Sequence, residues 1–449
     1  MNLRTIIFAA VLLCAAALCQ VGAAEDAFKT LVGPVAVGKV AGTSPLQTPF
    51  ITWGGDIATF YANGGLTTKP DSIFGKQGLN LALKPGDNFV QQVRDYMAGK
   101  SPFLRGTFHM IGMASEVIGS NPDTKGVVIM QLTWSAGDHC VVRGHVKTVK
   151  DLKGKTIAIQ KGGPHVGLLD DILKTGQLTW DDVKIAWTDD LTGKNGAAEL
   201  FRKNPAIDAC CVISPDMIGL TGGLQSIGSG AEGTVAKARV LVSTAELSRS
   251  ITDVYVCRKD FYDAHRDLVT KFVAGYLKAC EEVIDLKKLY EAKGSPAYLA
   301  LLKLAQDIYG KDVMPTLEED VHGLLSDCTF AGYPGNVAFF TQQGNLHGFE
   351  ALQKSSLDLA VGRGYATVRC AFFPSGLDYN SDAFLKYLTK TEMAKADRFK
   401  AEVLQDEFDA LSTGGGLDDK TIVSFTIQFK SNQDAFPAEQ YGAEYQRLV

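Results

Sequence analysis

The chain of 449 residues has a formal net charge of −5, and 46% of its residues are hydrophobic. An acidic balance without any block of lysine or arginine argues against nucleic acid as a partner, because phosphate contacts need a basic surface. The hydrophobic content is sufficient for a large buried core spread over two or three domains.

The first 24 residues have the pattern of an export signal. Arg4 gives a positive start, Ile6–Leu18 is apolar, and the small residues Gly22–Ala24 precede the acidic Glu25. The apolar run is shorter than the roughly 20 residues that a membrane-spanning helix needs. We therefore expect residues 1–24 to be a signal peptide and the mature protein to be periplasmic or secreted.

Nine cysteines are present, of which Cys14 and Cys19 lie in the leader, where a lipoprotein signal is the alternative. The remaining seven are an odd number, so at least one thiol has no partner within the chain. Cys210 and Cys211 are adjacent, and neighbours on a strand point to opposite faces of a sheet. The favoured interpretation is that most cysteines are small buried hydrophobic residues rather than a disulfide framework.

From residue 49 onward, short β-rich runs alternate with amphipathic helical patterns, which predicts parallel α/β layers. Several runs are almost continuous Val, Ile and Leu, as is typical of strands buried on both faces. The predicted strands are 49–53, 79–83, 108–113, 127–133, 156–160, 183–187, 208–213, 239–243 and 253–257, and the clearest predicted helices are 88–98, 166–174, 263–289 and 298–308.

The character of the chain changes in its last third. The region 283–395 is predicted to be mostly helical, and its aromatic segment Tyr333–Phe340 is expected to brace a lobe rather than face a cleft. Residues 394–411 are predicted to form a charged surface helix, followed by the flexible Ser412–Gly416. The alternating residues 421–429 then predict a half-buried strand.

Motifs for cofactor chemistry do not reach the required pattern. Gly228–Gly233 matches the spacing of a dinucleotide loop, but the segment after it predicts a strand instead of the helix that such a loop requires. Lys155 and Thr156 resemble the end of a phosphate loop whose first glycine is replaced by Val149. The seven histidines are scattered without metal-ligand spacing. The sequence thus indicates no cofactor and no metal.

A different arrangement recurs: an apolar strand, a turn of Gly, Ser, Thr or Asp, and then a helix. Such turns lie at the carboxyl ends of parallel strands, where α/β sheets place their ligand crevice, and free N–H groups at helix starts attract polar ligands. Helix capping alone also explains each single turn. The turns are Trp53–Asp56, Pro85–Asn88, Ser135–Asp138, Gly162–His165 and Ser214–Asp216.

The segment Asp151–Gln160 (DLKGKTIAIQ) and the turn Gly162–His165 after it resemble a known family. They are similar to the substrate-binding components of ABC transporters in the nitrate, sulfonate, taurine and thiamine-pyrimidine-precursor group. Further similarities are TWGGD at 52–56, the run from Asp208 into Ser214–Asp216, and VYVCRKDF at 254–261.

The resemblance implies a two-lobed α/β fold of the periplasmic-binding-protein type II, here with a mostly helical C-terminal addition. We expect lobe 1 to begin at residues 25–130, lobe 2 to comprise 131–252, and 253–395 to return to lobe 1 and carry the helical addition. The strands that cross between the lobes are expected near 127–142 and 252–258, so that the lobes can hinge around a solute.

The expected function is that of the extracytoplasmic solute-binding component of an ABC transporter, with a transporter permease as its partner and no catalytic activity. The ligand is a small polar or anionic organic molecule, and its charge is left open. Candidate ligand-binding residues come from the turns described above: Trp53, Gly55, Asp56, Ser135, Gly163, His165, Ser214 and Asp216.

Two alternatives remain from the sequence. An enzyme on the same scaffold, similar to pyrimidine-precursor synthases, would use His165 with Cys210 or Cys211. An envelope scaffold would use residues 396–449, predicted as a linker helix and a tail in which Phe425–Phe436 resembles the opening of an OmpA-like domain. Because the wall-binding residues of that family lie beyond Val449, association with the cell wall would require a completed domain.

Overall fold

The computed structural model describes residues 27–40, 42, 45–245 and 250–391. The predicted signal peptide and the predicted linker helix and OmpA-like tail lie outside these ranges. None of the described helices is both long and apolar enough to cross a membrane.

Strands are distributed along most of the described chain. They are β1 Leu46–Phe50, β2 Leu81–Pro85, β3 Phe103–Thr107, β4 Gly126–Ser135, β5 Asp138–Val142, β6 Thr156–Gln160, β7 Lys184–Thr188, β8 Ala209–Ile213, β9 Arg239–Ser243, β10 Thr252–Arg258, β11 Cys328–Phe330 and β12 Phe373–Pro374.

Helices fill the intervals between strands and make up most of the chain after residue 258. They are α1 Phe28–Val32, α2 Gly54–Asn63, α3 Ile73–Lys76, α4 Phe89–Met97, α5 Phe108–Met113, α6 Ser115–Gly119, α7 His165–Thr175, α8 Ala197–Lys203, α9 Ser214–Thr221, α10 Lys259–Ala264, α11 Arg266–Lys293, α12 Pro296–Tyr309, α13 Gly323–Ser326, α14 Gly332–Thr341, α15 Phe349–Gly362 and α16 Asp382–Leu385.

The strands form two main sheets. The first sheet has the order β11-β4-β10-β3 with β12 also on β4, and the parallel pair β1-β2 lies beside it. The second sheet has the order β7-β6-β8-β5-β9, in which β6, β7 and β8 are parallel. The chain passes from the first sheet to the second between Ser135 and Asp138 and returns before Thr252, where the backbone N–H of Ser135 donates to the carbonyl of Ile251 at 3.0 Å.

The helical addition covers the outer edge of β4. β11 pairs with residues 133–135 of β4, and β12 pairs with residues 127 and 128. Between them the buried side chain of Asn336 replaces a strand: its Oδ1 accepts from Gln131 N at 2.8 Å, and its Nδ2 donates to Gln131 O at 2.9 Å. Because an uncovered edge strand invites aggregation, the predicted bracing role of Tyr333–Phe340 has a physical purpose.

The prediction of a strand at 108–113 is wrong. The side chain of Thr107 accepts from Met110 N, which caps an α-helix over Phe108–Met113, and the strand precedes it as β3. β3 was missed because it contains Arg105 and Gly106, which are unusual in a strand buried on both faces. Arg105 is tolerated there because two carboxylates pair with it.

The apolar core does not divide at the boundary between the sheets. One cluster joins Val128 and Val254 of the first sheet, Ile157 and Cys211 of the second sheet, and Phe349 of the helical addition. The two sheets and the addition are therefore held by shared packing in addition to the two chain crossings.

Candidate functional site

A cleft of about 480 Å³ lies where the ends of strands from both halves meet. Thr52 follows β1, and Asp87 follows β2. On the opposite wall, Gln160–Gly163 follows β6, and Asp189–Thr192 follows β7. Carboxyl ends of parallel strands thus line both walls, which is the usual position of a ligand crevice in an α/β protein. The lining is Leu31, Thr52, Asp87, Asn88, Phe89, Val90, Arg94, Met110, Gln160, Lys161, Gly162, Gly163, Asp189, Asp190, Leu191, Thr192 and Val313.

Asp87 joins the ends of β1 and β2 at the cleft wall. Its Oδ1 accepts from the backbone N–H of Thr52 at 2.8 Å, and its Oδ2 accepts from the Thr52 hydroxyl at 3.0 Å. Asp87 is exposed to solvent within a concave surface, and desolvation by the surrounding protein raises its pKa against the opposing hydrogen bonds from Thr52. This wall therefore presents a carboxylate in a fixed position.

A group of polar side chains lies at the crossing from the first sheet to the second; we call Ser135, Asp138, His139, His165 and Ser214 the junction cluster. Asp138, the first residue of β5, accepts from His165 Nε2 at 2.7 Å through Oδ1 and from the Ser135 hydroxyl through Oδ2. His165 begins α7, so this pair ties the crossing to the helix that starts two residues after Gly163 at the cleft.

The other half of the junction cluster is the pair His139 and Ser214. His139 Nε2 lies 2.9 Å from Ser214 Oγ, and only 2% of the His139 surface is exposed. Burial lowers the pKa of His139 to about 4, although the neighbouring Asp138 opposes the shift. The ring is consequently neutral at pH 7.

This buried histidine gives an expected pH dependence of stability. The pKa of His139 in the folded state is below the value near 6.5 of an unfolded histidine. The contribution of the neutral ring to the unfolding free energy is therefore complete above pH 6.5. It is lost as the pH falls to about 4. We expect His139→Gln, which retains a donor for Ser214, to remove about 3 kcal/mol of the fall in unfolding free energy over that interval.

The check is urea unfolding of both proteins at a series of pH values. His145→Gln is the matched control, since the side chain of His145 is 49% exposed. Parallel curves for wild type and His139→Gln would show that His139 does not titrate as the structure requires.

Two carboxyl groups adjoin the junction cluster. Asp216 is the third residue of α9, and Asp327 lies between α13 and β11. Burial raises the pKa of each to about 6. A Cβ at Gly137 would lie 2.5 Å from Asp327 Oδ2, so only glycine permits this approach of the helical addition to the crossing.

A second polar network lies inside the first sheet. Trp53 Nε1 donates to Thr133 Oγ1 at 3.0 Å, and Thr133 Oγ1 donates to Asp253 Oδ2 at 2.9 Å. Arg105 donates to Asp253 at 2.7 Å and to both carboxylate oxygens of Asp56 at 3.2 and 2.7 Å. We call these five residues the Arg105 network.

The structure distributes the eight predicted ligand-binding residues over three places. Trp53 and Asp56 belong to the Arg105 network, and Gly55 packs beside it, where a Cβ would lie 2.9 Å from Thr133 Cγ2. Ser135, His165 and Ser214 belong to the junction cluster, and Asp216 adjoins it. Gly163 lines the cleft.

Several polar residues of the site were missed as candidates. Asp87, Asp138 and His139 lie in or beside turns that the sequence pattern already marks, so a wider reading of those turns would have included them. Asp327 has no such signal, because it lies more than 100 residues from the strands that it approaches.

Five cysteines of the described chain are buried packing groups, and two are partly exposed. All seven cysteines of the predicted mature chain are free thiols, and Cys210 and Cys211 lie in different core clusters on opposite faces of β8, as expected. Burial raises the pKa of Cys210 well above its usual value, and contact with Cys140 together with burial does so for Cys211. Neither thiol is activated as a nucleophile.

Metal binding receives no support within the described ranges. No group of three or more His, Cys, Asp or Glu side chains there has an arrangement that could hold a metal ion. The histidines and carboxylates of the site are instead organised by hydrogen bonds to one another and to serine hydroxyls.

The family described as NMT1/THI5 like matches residues 72–286 of the chain. This confirms the resemblance to transporter substrate-binding proteins for the segment that contains α7, the second sheet and β10. The matched segment ends within α11, so Asp327 and most of the helical addition lie outside it. No curated protein matches the sequence significantly.

Comparison with a solved structure confirms the fold class. The periplasmic aliphatic sulphonate binding protein SsuA of Escherichia coli is similar with a TM-score of 0.52 and 14% identity, over 75% of this chain and 94% of that chain. The alkanesulfonate-binding protein SsuA of Xanthomonas axonopodis has a TM-score of 0.48 and 15% identity, over 73% of this chain and 96% of that one. At these identities the similarity concerns the fold, which is that of a periplasmic binding protein with a helical addition.

Proposed function

We propose that this protein is the extracytoplasmic solute-binding component of an ABC transporter and binds a small polar organic molecule between its two sheets. The observation that carries the proposal is the cleft of about 480 Å³, which is lined by strand ends of both halves. A cavity of this size lies within the range of small-molecule sites. We propose no catalytic step.

The junction cluster supports this assignment because the chain joins it directly to the cleft wall. Gly163 at the cleft and His165 in the cluster are separated by a single residue. We assign ligand contacts to Gly163, Ser135, His165, Ser214 and Asp216. Trp53, Gly55 and Asp56 shape the opposite wall through the Arg105 network, where both oxygens of Asp56 are occupied by Arg105.

Closure around the ligand would take place about the two connections between the sheets, near 135–138 and near 251–252. A ligand that contacts both walls stabilises the closed form over the open form, since only the closed form makes both sets of contacts. The transporter permease is the proposed partner, because it can then distinguish loaded from empty protein. Export through residues 1–24 belongs to the same proposal.

Enzymatic activity on this scaffold is the weaker candidate. The set predicted for it, His165 with Cys210 or Cys211, places both thiols in apolar cores, and the Nε2 of His165 is bound to Asp138. An uncharged buried thiol is a poor nucleophile. The envelope-scaffold alternative rests on residues 396–449, outside the described ranges.

Native mass spectrometry of the protein purified without denaturation tests the proposal. We expect the wild-type protein to retain a small molecule and Val90→Trp, which fills the cleft from α4, to lose it. Val368→Trp is the matched control, because Val368 is 54% exposed and away from the cleft lining. Retention of the same molecule by Val90→Trp would exclude the cleft as its site.

A further inference from the structure

Beside the crossing between the sheets, two buried carboxyl oxygens and two buried histidine ring nitrogens lack a hydrogen-bond partner. Asp216 Oδ2, Asp327 Oδ2, His139 Nδ1 and His165 Nδ1 have no hydrogen-bond partner. Buried polar atoms are normally paired, and leaving one unpaired destabilises the folded protein. Four such atoms near one another indicate that a group absent from the chain itself completes their hydrogen bonds.

The arrangement around Ser214 fixes what His139 offers to this group. The Ser214 hydroxyl donates to the carbonyl of Gly137 at 3.4 Å. With its single proton used in this way, Ser214 Oγ accepts from the Nε2–H of His139. The neutral His139 ring then has a bare lone pair at Nδ1, so this nitrogen is also an acceptor.

The guanidinium groups of the nearby arginines already have carboxylate or carbonyl partners within the chain. Arg105 is held by Asp56 and Asp253. Arg94 donates to the carbonyls of Leu31 and Val32, and the guanidinium of Arg202 donates to Glu199 and to the carbonyl of Gly233. An anionic ligand would therefore meet the carboxylates of Asp216 and Asp327 without a free guanidinium to balance them.

We infer that the solute carries a protonated amine or amidine, which donates hydrogen bonds to Asp216, Asp327 and His139 beside the crossing. The inference rests on the proposed function and names the substrate class of the same site. Asp327 is its specificity-determining residue, supplied by the helical addition outside the segment that matches the family. The cleft also favours a cation, because its three carboxylates, Asp87, Asp189 and Asp190, outnumber its two cationic residues, Arg94 and Lys161.

Calorimetric titration with three ligands of similar shape tests the inference: benzylamine, benzamidine and benzenesulfonate. We expect the two cations to bind the wild-type protein at least ~100-fold more tightly than the sulfonate. Asp327→Asn keeps the shape of the side chain but removes a charged acceptor, and should weaken cation binding by roughly 10-fold or more. Asp71→Asn, at an exposed position, is the matched control and should leave binding unchanged.

Asp216→Asn provides a second variant with the same expected loss, and the melting temperature of each ligand-free variant shows whether it folds. Tighter binding of benzenesulfonate than of the cations would overturn the inference and leave solute binding itself intact. Cation binding that neither carboxylate variant weakens would overturn the role of Asp327 and Asp216. If none of the three ligands binds, the inference is also overturned. The proposed function is tested separately, by whether native mass spectrometry finds a retained small molecule.

Discussion

Replacing Arg105 by methionine is expected to lower the unfolding free energy by about 3–5 kcal/mol, because it leaves two buried carboxyl groups without their cation. Asp56 and Asp253 are each at most 2% exposed, and both are bound by Arg105. Burial already raises the pKa of Asp56 to about 7 against the opposing charge of Arg105. Without the arginine, Asp56 would take up a proton at neutral pH, and Asp253 would keep only the hydroxyl of Thr133 as its hydrogen-bond donor.

Urea unfolding followed by circular dichroism measures this loss. The matched control is Arg369→Met, which removes an arginine whose side chain is 61% exposed and paired only with Asp358 at the surface. We expect the control to change stability by less than about 1 kcal/mol. Equal effects of the two substitutions would mean that the Arg105 network is not a buried ion pair.

The second large effect is expected for Phe108→Ala, which should cost about 3–5 kcal/mol. Phe108 is fully buried in α5, and its ring centroid lies 6.1–6.2 Å from those of Phe339, Phe349 and Phe372. These three partners belong to the helical addition. Removing the ring leaves a cavity where the helical addition packs on α5, and neighbouring rings fill it only in part.

Phe373→Ala is the control for this substitution, since Phe373 follows Phe372 directly in the sequence but is 40% exposed. Thermal unfolding of the two variants should separate them by several degrees, with Phe108→Ala the less stable. If Phe108→Ala unfolds at the wild-type temperature, the helical addition contributes little to the core, and its removal would be tolerated.

The strands that could be predicted are those whose burial is visible in their own residues. Residues 156–160 and 239–243 form strands with the predicted limits, and the strand predicted at 208–213 begins one residue later. Their runs of Val, Ile, Leu, Ala or Cys are typical of strands. β8 is buried throughout and β6 in its middle, whereas β9 is only partly buried. β3 escaped prediction because Arg105 is stabilised by Asp56 and Asp253, which are distant in sequence.

The candidate site was also predictable only where the signal lies in the local sequence. The turns after predicted strands led to Ser135, His165 and Ser214, which the fold brings together around Asp138 and His139. Local sequence could not indicate that Asp56 pairs with Arg105, because that contact spans 49 residues. Nor could it indicate the approach of Asp327 to Gly137, which depends on how the helical addition packs.

The shared apolar core also has a consequence for ligand entry. Val128 and Ile157 belong to one buried cluster although they lie in different sheets. Separating the sheets completely would expose this surface to water at about 25 cal/mol for each Å². We therefore expect the cleft to open by a limited rotation that keeps the core intact on the side of α15.

A crystal structure of the protein as purified, without added ligand, tests most directly whether the two halves share one solute site. We expect electron density for a small molecule that contacts Thr52 or Asp87 on one wall and Gly163 on the other. Density bound to one half alone, or on a surface away from the crossing, would contradict it.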